Sequence, residues 1–171
     1  MRVAVTGTPG TGKTTATERL QKETDLEVIH LNEVLEEEEL YTEVDADRES
    51  KIADLDGLAA WLEDAEDAVI ESHLAHHFEA DRVAVLRCHP ETLEERLLER
   101  GETEAKASEN AESEALDVIL AEAAEKHGLE SVYEIDTTDL APEAVATELA
   151  AVVTGDREPS AGEVDFVGYL E

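Results

Sequence analysis

The sequence predicts an α/β fold with a parallel five-stranded sheet and helices on both of its faces. Short apolar segments alternate with helical patterns along the chain, which is typical of βαβ units. Two of these segments, residues 68–70 and 83–86, are apolar at every position, as strands buried on both faces of a parallel sheet usually are. A glycine-rich loop between the first apolar segment and the first helical pattern is the third observation.

The predicted elements follow one another in a regular order. Five segments have the composition of short strands, namely 2–6, 27–31, 67–71, 82–87 and 131–136. Five others have helical periodicity, namely 13–23, 54–65, 91–100, 112–127 and 142–153. Pro90 and Pro142 fall where proline is tolerated, at or beside the first turn of a helix.

Two segments interrupt the alternation. Residues 31–53 follow the second predicted strand and include four consecutive glutamates, and residues 101–112 contain no large apolar side chain. Both have the composition of solvated connections, and both are also placed where flaps close over substrates in enzymes. We expect one domain over residues 1–153, followed by a C-terminal tail at 154–171.

The composition is strongly acidic. The 171 residues are 42% hydrophobic, which suffices for one domain with a single core, but 45 acidic residues face only 13 basic ones and the net charge is −32. Self-repulsion at this charge destabilises a compact state in dilute salt, whereas at molar salt the Debye length falls to about 3 Å. We therefore expect a protein of the halophile type that works in concentrated salt.

The same composition excludes several classes of protein. No stripe of Lys and Arg is present, so an extended direct nucleic-acid surface is not expected. No apolar run reaches the roughly 18 residues that a membrane-spanning helix needs, and Cys88 is the only cysteine, so it cannot form an internal disulfide. We expect Cys88 to be an inert core residue and the protein to be cytoplasmic, with no membrane contact.

The glycine-rich loop carries the most specific motif. Residues 7–14 match the pattern GxxxxGK[ST] without a mismatch, after a predicted strand and before a predicted helix. In this context the backbone N–H groups and the helix N-terminus bind phosphates. Lys13 then reaches the β- and γ-phosphates, and the Thr14 hydroxyl ligates Mg²⁺. A glycine turn without a phosphate role is the weaker reading, so the sequence predicts a site for a nucleoside triphosphate.

Four polar residues outside the loop are further candidates. Glu71 ends an apolar strand, where a carboxylate either holds Mg²⁺ or is simply exposed to solvent. His73 follows it and either orients a water or a phosphate or caps the strand. Arg96 and Arg100 lie four residues apart on one predicted helical face, where they either pair with nearby glutamates or bind a transferring phosphoryl group.

The spacing of His73, His76 and His77 also suggests a zinc cluster. No cysteine and no partner on another helix supports it in the sequence, so we do not expect these histidines to bind a metal.

Several stretches resemble one known family, the adenylate kinase isoenzyme 6 family. Residues 7–15 resemble its phosphate-binding loop, 85–101 its strand and helix leading to the lid, 102–110 its short lid and 134–138 its last strand and turn. The resemblance covers residues 1–153 in order and spacing.

This resemblance implies a P-loop nucleoside-monophosphate-kinase fold that binds ATP and AMP with Mg²⁺. It also implies a monophosphate-binding region at about 30–53 and a lid at about 103–113. Two positions depart from the family pattern: Glu102 replaces an aromatic residue, and the Glu71–His73 stretch has Glu in place of Asp. Members of the family are associated with ATPase activity and with maturation of the small ribosomal subunit through transient binding of one of its proteins.

Two functions therefore stay open, an adenylate kinase that converts ATP and AMP into two ADP and an ATPase that assists ribosome maturation; a small kinase with a metabolite acceptor is a third. The expected catalytic residues are Lys13, Arg100, Glu71 and His73. The expected ATP-binding residues are Gly10, Gly12, Lys13, Thr14, Thr15 and Arg100. The expected metal ligands are Thr14 and Glu71.

Overall fold

The computed structural model describes residues 1–45 and 50–170 and has a parallel five-stranded sheet at its centre. The strands are β1 (Arg2–Gly7), β2 (Glu27–His30), β3 (Tyr41–Asp45), β4 (Ser50–Ala53), β5 (Ala68–Glu71), β6 (Arg82–Arg87) and β7 (Val132–Asp136). The central sheet has the order β2-β5-β1-β6-β7, while β3 and β4 pair antiparallel in a separate hairpin.

The helices cover both faces of this sheet. They are α1 (Lys13–Leu20), α2 (Leu31–Glu37), α3 (Leu55–Trp61), α4 (Pro90–Glu99), α5 (Glu104–Ala115), α6 (Val118–His127) and α7 (Pro142–Thr154). Short 3-10 turns lie at Ala75–His77, Leu129–Ser131 and Val167–Leu170. Among the described residues, no helix is both long and apolar enough to cross a membrane.

The alternation of β1 explains why both faces are covered. Val3 and Val5 are buried in a cluster with residues of α1 and α7. Ala4, which points to the other face, is buried in a cluster with residues of α2, α3 and α6. The structure thus confirms the predicted α/β fold, with a parallel five-stranded sheet between two helical layers.

The strand order positions the functional edge of the sheet. β1 lies in the middle, and the chain passes to β5 and β2 on one side of it and to β6 and β7 on the other. Because all five strands are parallel, their carboxyl ends meet at one edge, in the crevice where open α/β sheets bind ligands. Gly7, His30, Glu71 and Arg87 end strands at this edge.

The segment 31–53 contains more regular structure than the sequence indicated. α2 occupies Leu31–Glu37, with Leu31, Val34 and Leu35 buried at helical spacing, and the β3–β4 hairpin follows. The sequence analysis did not predict α2, because the four glutamates at 36–39 made the segment resemble a solvated connection. Residues 46–49 of the segment lie outside the described residues.

The expectation of a connection over 101–112 was wrong, because α5 occupies Glu104–Ala115. Thr103 caps its N-terminus through a hydrogen bond from the Lys106 N–H to its hydroxyl at 3.1 Å. Ala107, Ala111 and Ala115 are fully buried at a spacing of four. A stripe of alanines packs closely without any large side chain, which is why the search for large apolar residues missed this helix.

The single helix predicted over 112–127 is in fact two. α5 ends at Ala115 and α6 begins at Val118, with Asp117 between them in a left-handed conformation (φ 56°). Asp117 tolerates this conformation better than most residues. The break turns α6 back onto the sheet.

The tail after α7 packs against the body. The Ser160 amide donates to the Val132 carbonyl at 3.0 Å, and the Arg157 guanidinium donates to the backbone carbonyl of Glu134. The Tyr169 hydroxyl donates to Glu94 on α4 at 3.1 Å. These contacts tie the tail to β7 and to α4.

The net charge of −32 generates a prediction about salt. We expect the thermal midpoint of unfolding to rise as KCl is raised from dilute to molar concentration, because screening reduces the repulsion between surface carboxylates. Circular dichroism melts over a KCl series measure it. Sucrose, which screens no charge, is the control. A midpoint that stays constant with KCl contradicts the expectation.

Candidate active site

A cleft of about 710 Å³ opens at the carboxyl edge of the sheet. It collects residues from the ends of β1, β2 and β5 and from α1 and α4. Its lining residues are Pro9, Gly10, Gly12, Lys13, Thr14, Thr15, Asn32, Glu71, His73, Arg96, Glu99 and Arg100. All the residues that the sequence predicts for nucleotide, metal and catalysis are among them.

The glycine-rich loop connects β1 to α1 in a conformation that other residues adopt poorly. Gly12, the residue before α1, has φ 89°, and at Gly7 a Cβ would lie 2.6 Å from the Leu86 carbonyl oxygen. The first intrahelical bond runs from the Ala16 N–H to the Gly12 carbonyl at 3.1 Å. The amides of Lys13, Thr14 and Thr15 therefore have no intrahelical acceptor, which is the arrangement that binds anions.

The Lys13 ammonium lies over this loop. It donates to the carbonyl oxygens of Gly7 at 2.8 Å and Thr8 at 3.1 Å. Burial lowers the pKa of Lys13 to about 8; the Glu71 carboxylate opposes this shift and the Arg100 guanidinium reinforces it. Lys13 is thus still mostly protonated at neutral pH, with its charge held at the carbonyl oxygens of the loop.

Glu71 ends β5 and is buried beside Thr14. Its Oε1 accepts a hydrogen bond from the Thr14 hydroxyl at 3.3 Å, and its Oε2 lies 2.7 Å from His30 Nδ1. The predicted pair of metal ligands is therefore in direct contact. His30 was missed by the sequence reasoning, although its position at the end of an apolar strand is the same signal that identified Glu71.

The residues after β5 reach the same cleft. The Ser72 hydroxyl donates to Asn32 Oδ1 at 2.9 Å, which joins this loop to the start of α2. Burial lowers the pKa of His73 to about 4, with further lowering by Lys13 and His77. His73 is therefore neutral at physiological pH and interacts as a hydrogen-bonding group. Asn32 carried no sequence signal of its own.

The two arginines of α4 have different surroundings. Arg96 is half-buried and donates to the Gly10 carbonyl at 3.4 Å and to the Thr137 carbonyl at 3.3 Å. Arg100 is exposed at the end of α4 and lines the cleft. The sequence reasoning favoured Arg100, which lines the cleft, but it is Arg96 that hydrogen-bonds the phosphate-binding loop, at the Gly10 carbonyl.

A second, smaller cavity of about 280 Å³ adjoins the loop on the β7 side. Gly10, Gly12, Thr15 and Arg96 line both cavities, and the remaining walls of the smaller one are Thr11, Thr137, Leu140, Pro142 and Val145. The sequence analysis did not predict it, because its walls come from distant parts of the chain, from Gly10 to Val145.

A buried carboxylate attaches α5 to the loop. Glu114 Oε1 accepts from the Thr8 hydroxyl at 3.3 Å and from Arg87 Nε at 3.1 Å, and its Oε2 accepts from the Cys88 amide at 2.9 Å. Burial raises the pKa of Glu114, and its hydrogen bonds oppose that shift. Cys88 is buried, and burial raises the pKa of its thiol to about 11, as expected of an unreactive core cysteine.

Comparisons with known proteins identify the family. The family described as "AAA domain" matches residues 3–117. A protein of Natronomonas pharaonis named "Putative adenylate kinase" is 62% identical over 99% of this chain and 100% of its own length. Proteins of the same name from Halobacterium salinarum (58% identical, 99% and 100% covered) and Methanocaldococcus jannaschii (37%, 97% and 93%) are also similar.

Solved structures of kinases share the fold. Shikimate kinase from Bacteroides thetaiotaomicron superimposes with a TM-score of 0.61 at 19% identity, covering 90% of this chain and 98% of that one. A sugar kinase from Janibacter gives a TM-score of 0.58 at 21% identity, covering 90% and 94%. At this identity the likeness concerns the fold alone, which is that of the P-loop kinases.

Replacement of Lys13 tests the phosphate site. We expect Lys13→Ala to lower the rate of ATP consumption by at least 10²-fold, since a fixed cation at a developing phosphoryl charge is worth about that much. Steady-state kinetics measure the rate and circular dichroism checks the fold. Lys22→Ala, which removes the same charge just beyond α1, is the control. A rate within about threefold of the parent, under roughly 1 kcal/mol of barrier, would remove Lys13 from the mechanism.

Proposed function

Because the chain belongs to the archaeal family whose members carry the name "Putative adenylate kinase", we propose that it transfers the γ-phosphate of ATP to AMP and releases two ADP. The main support is the shape of the cleft. A single cleft contains the anion-binding loop, Lys13 and polar residues that lie on both sides of β1 along the edge of the sheet. Such a cleft can hold a donor and an acceptor nucleotide at once.

The ATP is proposed to lie on the β6–β7 side of β1. Its phosphates bind the loop amides and Lys13, and its base enters the smaller cavity between Leu140 and Pro142. That cavity is mostly apolar with a few polar groups, as base-binding pockets are. Arg96 lines both cavities, so its planar guanidinium is available to stack on the base or to bind a phosphate.

The AMP is proposed to lie on the β5–β2 side. Asn32 and His73 line the cleft there, and Asn32 lies in α2, within the region 30–53. With AMP on this side and ATP on the other, the transferring phosphoryl group passes over Lys13. Holding two reactants in this way contributes much of the catalytic effect in phosphoryl transfer.

Mg²⁺ is the proposed cofactor, and the donor set fits it. Thr14 and Glu71 supply a hydroxyl and a carboxylate oxygen 3.3 Å apart, and Mg²⁺ prefers oxygen ligands. When bound, the ion would neutralise charge on the β- and γ-phosphates. His30, at 2.7 Å from the second carboxylate oxygen, holds Glu71 in place for this role.

The segment 103–113 is the proposed lid. It follows Arg100 and includes most of α5, and Gly101 at its start has φ 92° with open space around the position of a Cβ. A glycine in this conformation at an uncrowded position suits a hinge. Closure there would bring the segment after Gly101 over phosphates bound beside Arg100 and exclude water from them.

The ATPase alternative, with a small-subunit ribosomal protein as partner, rests on the family resemblance alone. The named relatives and the structural neighbours give it no support. It stays a prediction. The effect of AMP on the release of ADP and phosphate distinguishes an ATPase from a kinase.

Replacement of Glu71 tests the metal assignment. We expect Glu71→Gln to raise the Mg²⁺ concentration needed for half-maximal activity and to lower the maximal rate, because an amide binds Mg²⁺ more weakly than a carboxylate. Glu95→Gln, which removes an exposed charge from α4, is the matched control. An Mg²⁺ titration identical to the parent's would make Glu71 a structural acid only.

The dependence on AMP decides between the functions. In roughly 2–3 M KCl, chosen to screen the acidic surface, we expect ATP plus AMP to yield ADP faster than ATP alone yields ADP and phosphate. Water is a poorly positioned acceptor in a cleft that accommodates a second nucleotide. Adenosine, which lacks the accepting phosphate, is the control.

Equal phosphate release with and without AMP, and no AMP-dependent ADP, would contradict the kinase proposal. Stimulation of that release by a basic small-subunit ribosomal protein would then support the ATPase.

A further inference from the structure

Two histidines and a glutamate converge behind the active site. His76 and His77 lie in the 3-10 turn after β5, and Glu122 lies on α6. His76 Nε2 is 3.5 Å from Glu122 Oε1, and His77 Nε2 is 3.8 Å from Glu122 Oε2. One ligand atom from each of the three side chains lies within 4.8 Å of the others.

We propose that His76, His77 and Glu122 form a binding site for a divalent transition metal, with Zn²⁺ as the best-fitting ion. Zn²⁺ binds imidazole nitrogen and carboxylate oxygen at about 2.0–2.2 Å in a tetrahedron, so its ligand atoms lie ~3.4 Å apart. The distances from Glu122 to the two rings are close to this spacing. Two nitrogens and one oxygen favour Zn²⁺ over Mg²⁺ or Ca²⁺, which prefer oxygen ligands.

The burial of His76 indicates that its Nε2 atom needs a ligand or a hydrogen-bond partner. The residue is 1% exposed, and within residues 1–45 and 50–170 its Nε2 has no hydrogen bond. A buried polar atom without a partner is costly and calls for an explanation such as an ion. A metal bound between His76 and Glu122 satisfies that nitrogen.

The other ring nitrogen of His76 is already held in place. His76 Nδ1 lies 2.7 Å from the Thr6 hydroxyl on β1, and His127 Nε2 lies 2.8 Å from the His76 carbonyl oxygen. When Nδ1 donates its proton to Thr6, the lone pair of Nε2 faces Glu122. Metal-binding histidines are commonly oriented by a second hydrogen bond of this kind.

A simple ion pair between His76 and Glu122 is the competing explanation. It accounts for the 3.5 Å separation of His76 Nε2 from Glu122 Oε1, but it leaves out His77, whose Nε2 lies 3.8 Å from the other carboxylate oxygen. One ion bound between the three side chains accounts for both approaches.

The site is separate from the proposed catalytic cleft. None of its three residues lines that cleft, whereas His73 of the same sequence cluster does. Sequence spacing grouped His73 with His76 and His77. In the structure, the third side chain beside His76 and His77 is instead Glu122 of α6.

A bound metal would join the turn after β5 to α6. His77 and Glu122 are half-exposed, which leaves a path for the ion and a position for a water ligand.

Zinc binding to the full chain tests the proposal. Chelator-treated protein in concentrated KCl, with excess Mg²⁺ to occupy sites made only of oxygen, is titrated with Zn²⁺ against a chromogenic chelator. We expect one equivalent to bind to the parent and to Glu125→Gln, a control on the same helix. We expect Glu122→Gln and His77→Gln to bind at least about 10-fold more weakly, since even outer-shell changes cost 10–100-fold.

Thermal melts give a second readout that does not depend on activity. We expect Zn²⁺ to raise the midpoint of the parent and of Glu125→Gln, because the ion binds the native state. The side chain of Glu122 is half-exposed, so its replacement should leave the fold intact. Zn²⁺ should raise the midpoint of Glu122→Gln clearly less than that of the parent, because the variant binds the ion more weakly. Parent-like zinc affinity in both Glu122→Gln and His77→Gln would overturn the proposal, as would less than one equivalent in the parent. Zinc binding that His73→Asn abolishes while Glu122→Gln retains it would also overturn it.

Discussion

The buried guanidinium of Arg87 organises the nucleotide-binding half of the molecule. Arg87 is 1% exposed at the end of β6, where it bonds Glu114 at 3.1 Å, Glu134 at 2.7 Å and Asp117 at 2.6 Å. A buried cation is tolerated only when its donors are satisfied, and removal of one partner leaves an uncompensated charge. These partners come from the C-terminal end of α5, from β7 and from the α5–α6 junction, so these three points are fixed relative to β6. Asp117 adopts its left-handed conformation (φ 56°) within this arrangement.

The same arrangement extends to the phosphate-binding loop and to the tail. Glu114 accepts a hydrogen bond from Thr8 of the loop, and Glu134 accepts one from the Glu163 amide of the tail at 2.8 Å. The proposed ATP side of the cleft is therefore built on a continuous set of buried charge-assisted hydrogen bonds. On the other side of β1, α2 packs on the body through buried apolar side chains, and the Ser72 hydroxyl hydrogen-bonds Asn32 of α2. The proposed ATP side thus rests on buried charged groups, and the proposed AMP side packs through apolar side chains in the part that the structure describes.

This division also explains how much the sequence alone could predict. The parallel sheet and the residues of the phosphate loop follow from local patterns, and the cleft does contain Lys13, Glu71, His73 and Arg100. The alanine stripe of α5 has no large apolar residue and so gave no periodic signal. The pairing of Arg87 with Glu114 joins residues 27 positions apart, and in a chain with 45 acidic residues no pattern singles out the right carboxylate. The roles of His30 and Glu122 cannot be predicted from the sequence, because only the fold places them next to Glu71 and His76.

The state of Lys13 connects this architecture to the proposed chemistry. Its ammonium is held by two neutral carbonyls of the loop, and burial lowers its pKa to about 8. A phosphate at the loop would add an anionic partner, which favours the charged form and raises that pKa. The loop carbonyls lose little when the ammonium turns to the phosphate, because they are weaker partners than an anion. The interaction therefore strengthens as negative charge develops on the transferring oxygens, and such a difference between ground state and transition state is what accelerates a reaction.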